Sequence, residues 1–186
     1  KKSNNYETDL FDFVFTDVEK IIGTKMTKQN EVPFRVISDH IKSICMLMSD
    51  GIIPSNEGRG YVLRRIIRRA IVQSNKIKKG EIFLNKLVNG VIEKYSRNYF
   101  ELKKTQKFIE ENLKNEEIKF SETLQTGLSI LNDEINTKRP KQLSAELAFK
   151  LYDTYGFPVD VTQNILTEKN IKLDIKQYLE IVKKNK

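Results

Sequence analysis

Apolar residues return along most of the chain at intervals of three and four, and the strict alternation of a half-buried strand is scarce. The stretch DLFDFVFTDVEKIIG predicts a first helix ended by Gly23. After the polar linker TKMTKQNEV, Pro33 opens a second helix with Phe34, Ile37, Ile41, Ile44 and Met48 on one stripe, and Asp50-Gly51 closes it. A third runs from about Gly60 to Lys76. At about 100° per residue, Val62, Leu63, Ile66, Ile67, Ala70 and Ile71 fill one half of its wheel. Arg64, Arg65, Arg68 and Arg69 fill the other, with Tyr61 among them.

After Gly80, EIFLNKLVNGVIEKY predicts a fourth helix. A long one follows from about Glu101 to Thr137, carrying Ile109, Leu113, Phe120, Leu124, Leu128, Leu131 and Ile135 at nearly heptad spacing. Gly127 inside it costs about 1 kcal/mol of helix propensity and marks a bend or a close crossing. Pro140 breaks the pattern. Ser144 can then cap AELAFKLYDTYG, which ends at Gly156, and Pro158 starts VDVTQNILTEKN before a last amphipathic helix. The pattern predicts an all-α multi-helix bundle with one long helix. Residues 1–139 form its main body, and residues 140–186 a small C-terminal helical subdomain.

Composition agrees with a globular protein: 186 residues, 39% hydrophobic and 31% charged, leave room for a core. No apolar run approaches the roughly 20 residues that span a bilayer, so no membrane is expected as a partner. The single cysteine, Cys45, excludes an internal disulfide and suits a reducing compartment. The expected location is the cytoplasm, with an organelle as the alternative. One histidine, His40, and one cysteine cannot build the usual Cys/His zinc site, and no nucleophile motif supports a triad. The chain does not begin with Met, which reads as a piece of something longer.

Charge changes the picture more. The net charge is +8. From Arg59 to Lys79 there are eight basic residues and no acidic one, so the rest of the chain sums to zero. A localised excess of this kind suits a polyanion such as a nucleic acid, whose counterions it releases. The bland alternative is general solubility of a Lys-rich sequence. Four arginines on one face repel each other unless Asp or Glu lies four residues away, and none does here. Phosphate contact by Arg64, Arg65, Arg68 and Arg69, with Arg59 in the loop before them, is the expectation.

The loop PSNEGRG lacks the Lys-Ser/Thr ending and the preceding strand of a P-loop. Asn56 within it offers donors and an acceptor on a short amide, the groups that read a base edge, although a surface Asn before a helix is usually a turn residue. FKLYDTYGFPVD sets two tyrosines and Asp153 at a helix end, where they either pack and solvate or stack on and accept from an exposed base. His40 reads as a half-buried packing residue. Glu110-Glu111 and Glu116-Glu117, among Lys107, Lys114 and Lys119, read as salt-bridged solvent faces rather than acid/base pairs.

Two of these stretches, FRVISDHIKSICMLMSDGIIPSNEGRGYVLRRIIRRA and AFKLYDTYGFPVDVTQNI, closely resemble the alanyl-tRNA synthetase family. NNYETDLF resembles the segment that follows that family's class II catalytic motifs. The anchors run in family order from Asn5 to about Ile165. The resemblance implies the helical middle region that recognises the acceptor stem of alanine tRNA, whose identity rests on a G·U wobble at the third pair. It implies that the ATP- and alanine-binding catalytic domain lies upstream. It implies as well that the zinc-bearing editing domain and the C-terminal domain lie downstream. ATP with magnesium, and zinc, would serve the whole enzyme, with no cofactor in this piece and no aminoacylation by it alone. The family's pair-reading Asn and Asp match Asn56 and Asp153. Two other classes remain open: a helical protein-interaction module, and a basic helix that binds RNA without regard to sequence.

Overall fold

The computed structural model describes residue 6 and residues 8–185 of the chain. Asn5, the first anchor of the resemblance, lies outside the described residues. Among them are eight α-helices: α1 (Asp9–Ile22), α2 (Glu31–Ser49), α3 (Gly58–Ile77), α4 (Val88–Tyr95), α5 (Glu101–Lys138), α6 (Ala145–Asp153), α7 (Val159–Glu168) and α8 (Ile175–Lys184). The all-α architecture read from the hydrophobic period is the one observed. No described helix is long and apolar enough to cross a membrane.

Contacts divide the chain into two compact units, Lys1–Ile118 and Lys119–Lys186. The division falls inside α5, whereas the break in sequence pattern falls at Pro140. Proline interrupts a helix locally, but packing decides which residues share a core. In the second unit Phe120 and Leu124 of α5 are as buried as Leu151 and Phe157.

In the first unit α2 packs against α1, α3 and α4. Phe34, Ile37, Ile41, Ile44 and Met48, the stripe read from the sequence, are all at most 1% exposed. Helix α2 begins two residues before Pro33, which occupies its first turn, where the missing N–H has no helical partner to lose. Its far end is a Schellman motif. Gly51, at φ 82°, donates to the Met48 carbonyl, and Ile52 donates to that of Leu47. On α3 the buried face is Leu63, Ile67, Ala70, Ile71 and Val72, but Val62 is 52% exposed and Ile66 half-buried, so the apolar stripe is narrower than the wheel suggested.

The expected fourth helix over residues 81–95 is shorter than predicted. Residues 81–83 are not helical, a 3-10 turn covers Leu84–Leu87, and only Val88–Tyr95 is α-helical. The reason is tertiary: the Glu117 carboxylate on α5 accepts the backbone N–H groups of Phe83 (3.1 Å) and Leu84 (3.1 and 3.2 Å). That fixes where the helical turn starts and seats Phe83 in the core, fully buried.

In the second unit α6 packs on α7 and α8. The Ser144 hydroxyl caps α6 by accepting the Leu147 N–H at 3.2 Å, and Asp174 caps α8 by accepting the Gln177 N–H at 3.1 Å. A two-residue parallel pair joins β1 (Gln142–Leu143) to β2 (Lys172–Leu173). Strands this short leave no alternation to read, and the sequence pattern did not show them.

Gly127 marks a close crossing within this unit. A Cβ there would collide with the Phe157 ring, whose further edge atoms would stand 3.1 Å away. Phe157 is itself fully buried and meets Phe120 edge-on, with ring centroids 5.9 Å apart. Gly127→Ala therefore lowers stability, by about 1–3 kcal/mol for an overpacked core. Helix propensity alone gives the opposite sign, a gain of about 1 kcal/mol. Urea unfolding of the variant decides between them, and a gain would contradict the crossing.

Candidate nucleic-acid interface

The site is built where α2 hands the chain to α3. From the Schellman turn, residues 52–57 run as a loop closed by Ser55, whose N–H donates to the Gly60 carbonyl at 3.2 Å and whose hydroxyl donates to the Glu57 carbonyl at 2.9 Å. Gly60 is required there: a Cβ would strike the Ser55 hydroxyl and the Ile53 carbonyl. Gly58 begins α3 at φ 55°, a conformation that glycine adopts without steric cost. Asn56 is left exposed at the loop's outer edge.

Arg64, two turns into α3, reaches back over this loop. Its Nη1 donates to Asn56 Oδ1 and its Nη2 to the Pro54 carbonyl at 3.3 Å. Its Nε lies 3.0 Å from Glu116 Oε1, an ion pair without an aligned hydrogen bond at that nitrogen. Arg68 Nε donates to the same carboxylate oxygen at 3.1 Å. Glu116 is 7% exposed, so a nearly buried carboxylate holds two of the four arginines.

Two expectations are thereby corrected. The arginine face has acidic compensation, but it comes from α5 rather than from neighbours along α3. Glu116 and Glu117 face the interior: Glu117 is fully buried. The signal was present in the sequence. Between Leu113 and Phe120 the core-facing seam of α5 skips a position, and Glu116 and Glu117 occupy it.

The remaining candidates are arranged as follows. Arg59 is exposed. Arg65 and Arg69 are half-buried, and the Arg65 guanidinium stands 5.8 Å from the Tyr61 ring centroid, within cation–π range. Asp153 is the last residue of α6, exposed, and its carboxylate has no hydrogen bond or ion pair to a described residue. A carboxylate there faces the negative end of the helix dipole, an unfavourable place for structure alone. Asn56 belongs to the first unit and Asp153 to the second. His40 is half-buried as expected, its Nδ1 3.1 Å from an Asp39 carboxylate oxygen.

No group of three or more His, Cys, Asp or Glu side chains able to hold a metal ion occurs among the described residues. Burial pushes the Cys45 thiol up to about 12, which leaves it unreactive and a poor metal ligand. The described residues do not fit a zinc site.

Comparison with known proteins follows the same lines. A family model described as tRNA synthetases class II (A) matches residues 1–186. The alanine–tRNA ligase of Rickettsia akari is 44% identical over 179 residues, 96% of this chain and 20% of that protein. That of Neisseria meningitidis serogroup C / serotype 2a is 47% identical over 171 residues, covering 92% and 19%. That of Rickettsia prowazekii is 43% identical over 181 residues, covering 97% and 21%. The chain belongs to the class II alanyl-tRNA synthetase family. It spans about a fifth of the length of the curated relatives it matches.

Glu117 gives the first unit a pH dependence. Burial above all pushes its carboxyl up to about 7 from the ordinary 4.5, against the pull of the Phe83, Leu84 and Asn85 N–H groups and the Lys86 charge. Between those values the folded chain holds the proton and the unfolded chain does not. The contribution of this group is therefore full below about pH 4.5 and is lost as pH rises through about 7. Glu117→Gln, which imitates the protonated form, is expected to remove about 1–3 kcal/mol of the stability lost between pH 5 and pH 8 in urea unfolding. An unchanged pH profile would contradict the assignment.

Proposed function

We propose that this chain is the part of an alanine–tRNA ligase that binds the acceptor stem of alanine tRNA and reads its G·U wobble pair. The observation that carries the reading is the exposed Asn56 amide, held by Arg64 beside the segment Arg59–Lys79, most of it helix α3, in which the chain's whole excess of positive charge lies. A G·U wobble displaces the guanine amino group into the minor groove, which in A-form RNA is wide and shallow enough for side chains to reach. Asp153, a carboxylate with no described partner, suits that amino group as an acceptor. Asn56 suits the base edges as a hydrogen-bonding amide. Phosphates beside the pair fall to the arginine face. Glu116 offsets part of the charge of Arg64 and Arg68 on that face, and Arg59 is exposed at its start.

In this reading the chain does not aminoacylate by itself. Alanine activation with ATP and magnesium, transfer to the tRNA terminus, and zinc-dependent editing belong to other domains of the same enzyme, which are its partners in the chain.

The test is the affinity of the chain for a short acceptor-stem hairpin with the third pair as G·U and then as G·C, each titrated with salt. Base-edge readout is worth about 1–3 kcal/mol per interaction, so a preference of about tenfold is expected. Asn56→Ala or Asp153→Ala should erase it while leaving the salt slope in place. Equal binding of both stems with a steep salt slope would mean a nonspecific basic helix. Absence of binding at low salt would favour a protein-interaction module instead.

A further inference from the structure

The same arginine decides which face of Asn56 a ligand meets. A guanidinium has five donors and no acceptor. The atom of Asn56 turned toward Arg64 must therefore be the amide oxygen, and the amide nitrogen is turned away from it. Asn56 is exposed, and that nitrogen donates to no described residue. Arg64 itself is tied at three points within the protein: Asn56 Oδ1, the Pro54 carbonyl and Glu116. With its side chain only 21% exposed, it is placed to support the loop rather than to reach outward. Glu116, held in turn by Arg68, supplies the fixed point behind it.

We propose that Arg64, anchored by Glu116, is a positioning residue for Asn56, and that Asn56 therefore acts as a hydrogen-bond donor toward an acceptor atom on the edge of the recognised base pair. The assignment rests on the reading of Asn56 given above and adds to it an orientation and a support. It also separates the arginines of α3 by role: Arg64 aims the reading residue, whereas a phosphate contact would only attract. Donor and acceptor are then divided between residues. Asn56, with its oxygen occupied, suits ring nitrogens, carbonyl oxygens or ribose hydroxyls, and the carboxylate of Asp153 suits amino groups.

Arg64→Lys tests this. Lysine keeps the charge but cannot span Asn56, Pro54 and Glu116 with one nitrogen. The two hairpins above would be titrated with salt, and the side-chain amide resonances of Asn56 would be recorded in the free protein by 1H–15N NMR. The expected result is a G·U preference falling from about tenfold to below about threefold. The salt slope and the affinity for the G·C stem should hold, and the Asn56 amide resonances should shift. Glu116→Gln, which keeps Arg64 but weakens its anchor, should move the preference and the resonances the same way. A variant that binds both stems more weakly, keeps the preference and lowers the salt slope by about one would make Arg64 a phosphate contact and overturn the proposal. Unmoved Asn56 resonances in Arg64→Lys would overturn it as well. A wild-type chain without preference would sink the base-pair reading instead, and the Asn56 resonances alone would then decide the positioning role.

Discussion

One nearly buried carboxylate, Glu116, makes the basic helix tenable. Four arginines on one side of α3 repel one another, and a lone carboxylate at 7% exposure would be costly to leave in low dielectric. Each removes the other's problem. Arg64 and Arg68 stand 3.0 and 3.1 Å from one Glu116 oxygen, and their attraction offsets a desolvation that neither side could sustain alone. The arrangement also reaches past α3, because Arg64 passes the constraint to the loop through the Pro54 carbonyl and the Asn56 amide. Gly60 and Ser55 close that loop from the other end. Adjacent residues on a helix point about 100° apart, so Glu117 can serve a different partner and hold the N–H groups that open the turn before α4.

The second unit obeys a different constraint, one of space. Phe157 fits only because Gly127 has no side chain, and its backbone is placed by hydrogen bonds that wrap the end of α6. Gly156, at φ 69°, donates to the Tyr152 carbonyl, and Phe157 donates to that of Leu151 at 2.9 Å. The neighbouring Tyr155 carbonyl accepts from the Thr123 hydroxyl at 3.0 Å. Asp153 thus ends a helix whose following turn is held by packing and hydrogen bonds, while its own carboxylate meets no partner among the described residues. A rigid mount with one exposed, unfavourably placed charge is an arrangement that stability alone does not require.

Much of this was legible in the sequence, for identifiable reasons. Helix period, the Pro33 and Ser144 starts and the Gly23 and Gly51 ends are local signals, and each corresponds to an observed boundary within a few residues. Asn56, Asp153 and the arginines were singled out as candidates through loop chemistry, charge and resemblance. Long-range partners were not legible. Glu116 lies 48 residues from Arg68, and a search limited to neighbours along one helix finds no compensation. The nearly heptad seam of α5 held the clue, since two acidic residues stand where an apolar one is due, but only the fold shows that the gap is filled from α3 and from the chain before α4. The truncated fourth helix has the same origin, as a side chain 33 and 34 residues away sets its start. Gly127 was flagged as a bend or a crossing, and only the position of Phe157 distinguishes the two.

The most direct measurement is a double-mutant cycle in urea unfolding with Arg64→Gln, Glu116→Gln and the pair together. Glu116 as the anchor of the loop and of α3 predicts a favourable coupling of about 1 kcal/mol or more, because Glu116→Gln strands the partly buried Arg64 charge and the double change removes that charge. Strictly additive losses would mean that the two side chains merely lie close together, and would contradict the central place given to their pairing.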